Sequence, residues 1–220
     1  MKNSALLLPL FICLIISSCK NSTDPTASNS PSASGDLIPL KTDNKWIYRS
    51  TTTDTFGNIL LSRLDTSNIG LSVGIQGIVW SFFSAPGNFS ADGVVFLANR
   101  IGGVWGFNEK SMQPFILFPY PAISGSEYVS SSDSSAARVD GPIFQFIVKF
   151  ISTSENVASI SQSFVCYHYQ FITRLISQQT GEITNELGSE LFIAPGIGIV
   201  KEIDRTSGIK TILLQDYMLR

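Results

Sequence analysis

Apolar and polar residues alternate at a spacing of two through most of this 220-residue chain, and glycine, proline, asparagine and serine break the alternation at short intervals. Antiparallel strands joined by tight turns read this way. In Ile143 to Ile151, Phe144, Phe146, Val148 and Phe150 fall on one face, predicted to be core. In Phe164 to Ser177, Val165, Tyr167, Tyr169, Phe171 and Leu175 fall on one side, with Cys166, His168, Gln170 and Arg174 on the other. Further strands are predicted at Lys45 to Thr53, Ile59 to Thr66, Gly77 to Ser84, Gly93 to Asn99, Gly103 to Phe107, Phe115 to Phe118, Glu190 to Ala194, Gly198 to Asp204 and Ile209 to Tyr217. Asp54 to Asn58 and Thr206-Ser207-Gly208 have the composition of hairpin turns. The best helical segment, Asn156 to Ser163, is too short and too rich in serine and β-branched residues to stand as a helix. No tandem repeat emerges, which argues against a propeller or solenoid. The pattern predicts an all-β domain with few or no helices, built as one curved antiparallel sheet, a sandwich or an incompletely closed barrel. A concave sheet face would suit an apolar ligand or packed aromatics.

The first 36 residues follow a different rule. Lys2 precedes an apolar run from Ala5 to Ile16, and small residues Ser17 and Ser18 lead to Cys19. That order is a secretory leader, and the run is shorter than the roughly 20 residues a spanning helix needs. Ile16-Ser17-Ser18-Cys19 resembles the lipobox of bacterial lipoproteins. By that resemblance the chain is cut between Ser18 and Cys19, and the Cys19 thiol carries a diacylglyceryl group as a thioether. Residues 1–18 are then the signal peptide and 19–36 a lipidated cysteine with a polar, flexible tether. Residues 37–220 form a single antiparallel β domain. Two or three acyl chains anchor stably where one holds marginally. The expected partner is thus a membrane, reached through the N-terminal lipid. Lys20 after the cysteine, rather than aspartate, points to the outer membrane of the cell envelope.

Composition narrows the classes further. Of the charged residues the leader carries only Lys2, so the mature chain has 14 basic and 17 acidic residues and a net charge of −3. With no basic stripe, nucleic acid is excluded as a partner. Cys13 leaves with the leader and Cys19 is lipidated, so Cys166 remains as a lone thiol and no intramolecular disulfide is possible. Stability must come from the core, for which 15 phenylalanines are available.

Three segments, "LIPLKTDNKWIY" (Leu37 to Tyr48), "QSFVCYHYQF" (Gln162 to Phe171) and "LFIAPGIGIVKEI" (Leu191 to Ile203), resemble signature stretches of a broad group of uncharacterised bacterial lipoproteins. The group opens on Pro-Leu-x-x-Gly-Asn-x-Trp, continues with a Phe-x-Cys-Tyr strand and ends near Pro-Gly-x-Gly-x-Val-Lys. "FPYPAISGSEY" (Phe118 to Tyr128) is similar to a weaker midpoint element. The chain departs from the group at Asp43, where glycine is usual, and at Gln162-Ser163, where Ala-Gly is usual. The resemblance implies an exported antiparallel β domain, loosely similar to the half-barrel of lipoprotein carriers, without assigned catalysis. Read physically, Trp46 and Tyr48 alternate onto one strand face as core anchors. Pro195, Gly196 and Gly198 form a bend or bulge where another backbone can approach.

No motif supplies chemistry. Gly196-Ile197-Gly198 and Gly102-Gly103-x-x-Gly106 lack the helix a nucleotide loop needs. His168, the only histidine, has no nucleophile elbow beside it. Cys166 and His168 share a strand face at a spacing that could supply two zinc ligands, but no further cysteine or histidine completes the set, and His168 reads as a satisfied strand residue. Glu182, Glu186, Glu190, Glu202 and Asp204 lack calcium-loop spacing and read as solvating loops and strand edges. The expectation is therefore no enzyme, catalytic residue, cofactor or metal. Two roles remain: an apolar small molecule bound on a curved sheet, or an interaction or structural module docking an envelope protein through exposed apolar residues such as Phe89 or Phe115 to Tyr120.

Overall fold

A computed structural model describes residues 36–84, 94–108, 112–133, 142–160, 162–205 and 209–220. The described residues form twelve antiparallel strands: β1 (Lys45–Thr53), β2 (Ile59–Ile75), β3 (Ile78–Ser84), β4 (Val94–Arg100), β5 (Gly103–Asn108), β6 (Gln113–Pro119), β7 (Glu127–Asp133), β8 (Ile143–Ala158), β9 (Ser163–Ile176), β10 (Ile183–Ala194), β11 (Gly198–Asp204) and β12 (Ile209–Met218). They form one sheet in the order β6-β5-β4-β3-β2-β1-β12-β11-β10-β9-β8-β7. Two six-strand meanders are thus joined where β1 pairs with β12. The sheet curls until β6 and β7 meet. There it stays open along one seam, bridged by the Ser130 hydroxyl donating to the Ile116 carbonyl at 2.9 Å. Of the expected all-β architectures, a curved sheet, a sandwich or an incompletely closed barrel, the last is the one observed.

Turn chemistry explains the connections. Asp54 accepts from the Phe56 and Asn58 amides at 2.9 and 2.8 Å, closing the β1–β2 hairpin. Gln76 and Gly77 both have positive φ, 53° and 75°, the twisted two-residue turn that matches strand twist. The tip of this β2–β3 hairpin folds toward the β5–β6 turn, where the Gln76 amide donates to the Met112 carbonyl at 3.0 Å. A small second cluster of Trp80, Ala98 and Phe107 packs there with Ile75, Ile78, Phe96 and Trp105. Asp43 takes φ 72°, so this turn adopts left-handed geometry without a glycine.

The barrel interior is filled with side chains. Trp46, Tyr48, Phe83, Phe118, Phe150 and Tyr169 are all buried to 1% exposure or less. They meet edge to face or tilted, with ring centroids 5.8 Å apart for Trp46 and Phe83, 5.3 Å for Phe118 and Tyr169 and 5.1 Å for Phe150 and Tyr169. Burying one such ring contributes about 1.5 to 3 kcal/mol. Their polar ends find carbonyls: Tyr48 Oη donates to Ile199 at 3.0 Å and Tyr169 Oη to Pro119 at 2.8 Å.

One mouth of the barrel is stoppered by the segment entering β1. Leu37 and Ile38 are buried, and three contacts fix their backbone. The Gly196 amide donates to the Asp36 carbonyl at 2.9 Å, Asn99 Nδ2 to Ile38 at 2.9 Å and Ser81 Oγ to Leu40 at 3.2 Å. The tip of the long β8–β9 hairpin reaches the same region, where Gln162 Nε2 donates to Tyr217 Oη at 3.1 Å and Phe164 meets the Tyr217 ring. We call this the near end. The β1–β2 and β9–β10 turns lie at the far end.

Several elements differ from the expectation. β7 had no predicted strand, β10 begins at Ile183 rather than Glu190, and β2 continues to Ile75. Phe146 is exposed, and Ile147 on the opposite face is buried instead. Asn156, in the segment already rejected as a helix, lies at the end of β8. Phe89, Gly93 and the Thr206-Ser207-Gly208 turn lie outside the described residues.

Candidate functional site

Register places the polar side chains in rows that cross the sheet. Phe150, Tyr169, Leu191, Glu202, Ile212, Ser50 and Arg63 are successive partners on the core face. The next row toward the far end runs Val148, Phe171, Ser189, Asp204, Lys210, Thr52 and Leu61. Glu202 and Asp204 therefore do not solvate a strand edge, as the sequence suggested. They are 1% and 2% exposed, because period-two alternation carries them inward with Val200. Glu202 sits between fully buried Leu191 and Ile212, and its Oε2 has no hydrogen-bond partner. Burial, and next the Asp204 carboxylate, push it up to about 8, against an opposing pull from Lys210. A group so placed is held neutral at moderate pH.

The opposite face carries the second polar cluster. His168 Nε2 lies 3.1 Å from Glu190 Oε2, and its Nδ1 lies 3.9 Å from Glu155 Oε1. Arg205 holds the other Glu190 oxygen at 2.8 Å, and Ser152 Oγ donates to Glu155 at 3.0 Å. The imidazole stacks on Phe192 with centroids 4.3 Å apart, while the Lys201 ammonium stands 5.4 Å from the same ring. Burial raises the Glu190 carboxyl, but Arg205 and His168 outweigh it and hold the group below the ordinary carboxylate value. Both Glu190 oxygens are thus occupied. The cluster clamps β8, β9 and β10 to Arg205, just beyond β11, rather than aiming an activated atom into a cleft.

Cys166 stands two residues before His168 but is wholly buried, and burial pushes its thiol up to about 12. Its Sγ donates to the Phe164 carbonyl at 3.8 Å. A thiol so disfavoured from ionising is a poor ligand and a poor nucleophile. Among the described residues, no group of three or more His, Cys, Asp or Glu is placed to hold a metal ion. Glu182 and Glu186 are exposed.

The glycine motifs also resolve into packing. A Cβ on Gly103 would lie 2.0 Å from the Phe118 carbonyl oxygen, and one on Gly106 would lie 2.6 Å from the Phe115 ring. At Gly198 the neighbour is the Trp46 indole at 3.5 Å, so a side chain approaches there, while the backbone that approaches the turn is Asp36 at Gly196. Phe115 to Tyr120, expected as an exposed docking stretch, is largely interior: Phe118 is fully buried, and Phe115 and Tyr120 pack against the core. The exposed apolar surface lies elsewhere. Phe56 at the β1–β2 tip is 90% exposed, and Ile59, Leu60, Leu61 and Leu64 beside it are exposed as well.

A cavity of about 220 Å³ opens at the near end between Asp36, Leu37, the Asn99–Val104 turn, Tyr120 and Pro121. Small-molecule sites usually run to roughly 300 to 1,000 Å³. Cys19 and Ser18 lie outside the described residues, and among those described no helix is long and apolar enough to cross a membrane.

No protein-family model matches the chain, and no curated protein matches it. Among solved structures it is similar to a "putative lipoprotein" from Parabacteroides distasonis ATCC 8503, at 12% identity over 84% of this chain and 99% of that one, with TM-score 0.47. It is also similar to a "putative exported protein with YmcC-like fold" from Bacteroides fragilis NCTC 9343, at 12% identity over 84% of this chain and 100% of that one, with TM-score 0.40.

Proposed function

We propose that this chain is a lipid-anchored bacterial envelope lipoprotein that works without catalysis, docking another envelope protein through the apolar hairpin at its far end. The observation that carries the reading is a contrast in burial. Aromatic rings occupy the inner volume that a carried lipid would need, while Phe56, Leu60 and Leu64 stand uncovered on a hairpin closed by its own turn bonds. Surface apolar residues that contribute nothing to a core, gathered at one tip, are what a partner surface uses. The anchor follows from Ile16-Ser17-Ser18-Cys19, and Lys20 favours the outer membrane.

The test combines labelling with crosslinking in growing cells. A clickable fatty acid should label the wild-type chain and not Cys19→Ala; equal labelling of both would end the anchor reading. A photocrosslinking residue at Phe56 or Leu60 should capture a protein, and Leu64→Asp should abolish that capture without lowering the melting temperature. No adduct at either position would end the docking reading.

Capture of an apolar ligand is the second reading, favoured by the near-end cavity beside Leu37 and Tyr120. Mass spectrometry of lipids that co-purify with the processed protein decides it. A stoichiometric lipid would establish the carrier role and displace the docking one.

A further inference from the structure

In an up-and-down meander every second connection falls at the same end. Here the entry segment and the β2–β3, β4–β5, β6–β7, β8–β9 and β10–β11 connections fall at the near end, the β2–β3 tip folding toward Met112. Three of those five connections, β4–β5, β6–β7 and β8–β9, each carry an exposed isoleucine: Ile101 at 101%, Ile123 at 80% and Ile160 at 70%. None belongs to either core cluster. Connecting turns select glycine, proline, asparagine, aspartate and serine for backbone reasons, so an aliphatic side chain at each of three tips is not explained by the fold.

The chain that leads out of the domain begins at this end. Asp36 is fixed by Gly196 and lines the same cavity as Ile101. Sixteen residues of sequence lie between Cys19 and Asp36. Fully extended, that length of chain spans at most about 60 Å. Nine-residue β1 alone carries the Phe56 hairpin about 30 Å further from the entry point, at about 3.4 Å per residue. The near end is therefore where the chain leaves the domain toward its lipid, and the far end stands a strand length beyond it. Charges of both signs are present here, with Lys41, Lys45, Arg100 and Arg220 against Asp36, Asp43 and Asp216. The surface has no strong field, so what it offers a membrane is apolar.

We propose that the near end is a bilayer-contact face, on which Ile101, Ile123 and Ile160 seat in the headgroup–acyl boundary of the same membrane that holds the acyl chains of Cys19. The proposal rests on the lipid-anchor reading. Lipid chains and shallow apolar residues act together, because each weak insertion adds to the other once both are at the interface. The barrel then stands upright, with the Phe56 hairpin presented away from the membrane.

The processed lipoprotein, reconstituted into phosphatidylethanolamine–phosphatidylglycerol vesicles, tests this. Single-cysteine variants Ile101→Cys, Ile123→Cys, Ile160→Cys and Phe56→Cys are labelled with an environment-sensitive fluorophore. Buried Cys166 does not compete for the label. Labels at 101, 123 and 160 should shift to the blue and lose most of their emission to a shallow nitroxide lipid, with no change on adding salt, while the label at 56 does neither. Flotation with the vesicles while the labels at 101, 123 and 160 stay unquenched would overturn the proposal and leave the anchor standing. Quenching at 56 alone would overturn it in favour of a barrel lying the other way up. Failure to float at all would overturn both the anchor and the contact face.

Discussion

The indole Nε1–H of Trp46 donates to the carbonyl oxygen of Ile197 at 2.7 Å across 151 positions of sequence. The bond ties β1 to the β10–β11 turn, and Gly198 faces the indole at ordinary contact distance. Trp46→Phe should keep most of the packing but leave the carbonyl without its donor, destabilising by about 1 to 3 kcal/mol. Trp46→Ala should cost about 3 to 5 kcal/mol. Gly198→Ala meets a φ of 106° and should cost about 1 to 3 kcal/mol from backbone strain alone. Urea denaturation of the three variants checks the order.

Glu202 gives stability a pH dependence of definite sign. Its native value of about 8 stands above the ~4.3 it recovers on unfolding. Between those values the native chain keeps a proton that the unfolded chain has released, so stability is full below about pH 4.3 and falls as pH rises through 8. Glu202→Gln should remove that decline and be the more stable protein above pH 8, by on the order of 2 to 4 kcal/mol. Melting temperatures from pH 5 to 9 would show two parallel curves instead if the carboxyl were ionised throughout.

Glu190 works in the other direction. Arg205 and His168 depress it despite partial burial, so its contribution is present above the ordinary carboxylate value and is lost as pH falls through the lower native one. Glu190→Gln should cost about 1 to 3 kcal/mol at neutral pH and almost nothing once the parent carboxyl is protonated. Denaturation at pH 7 and at acid pH compares the two.

Gly103 and Gly102 stand side by side at positive φ, 140° and 89°, but only Gly103 has a neighbour within reach of a Cβ. Gly103→Ala must push the Phe118 carbonyl out of the β5–β6 ladder and should cost about 2 to 4 kcal/mol. Gly102→Ala meets open space and should cost about 1 kcal/mol from backbone strain alone. Equal losses in thermal unfolding would mean that crowding plays no part.

Trp46, Tyr48 and the Pro195–Gly198 turn were legible in the sequence, because alternation and turn glycines report local geometry directly. Asp43 was legible as a departure; its φ of 72° is what a glycine would have allowed freely. β7 was not legible, since Glu-Tyr-Val-Ser-Ser-Ser-Asp offers little apolar alternation. Nor was the first half of β10, whose side chains from Ile183 to Glu186 are exposed on both faces. Glu202 and Asp204 were misread because charge was weighed above period, although Val200 two residues earlier shares their face. His168 was read as a satisfied strand residue, and Glu190 satisfies it; that partnership across 22 positions is set by register, which a single sequence does not display.

The seam between β6 and β7 makes this barrel a scroll, with a first and a last strand whose outer backbone groups no ladder consumes. Such margins invite foreign strands and self-association. Pro114 and Pro119 near the two ends of β6 withhold amide donors, and a bulge between Val129 and Ser131 breaks the line of β7. Opening would start here, because β1 is held by full ladders on both sides. Amide protons of β6 should therefore trade with deuterium long before those of β1, so the wall loosens at its hem while its spine stays shut.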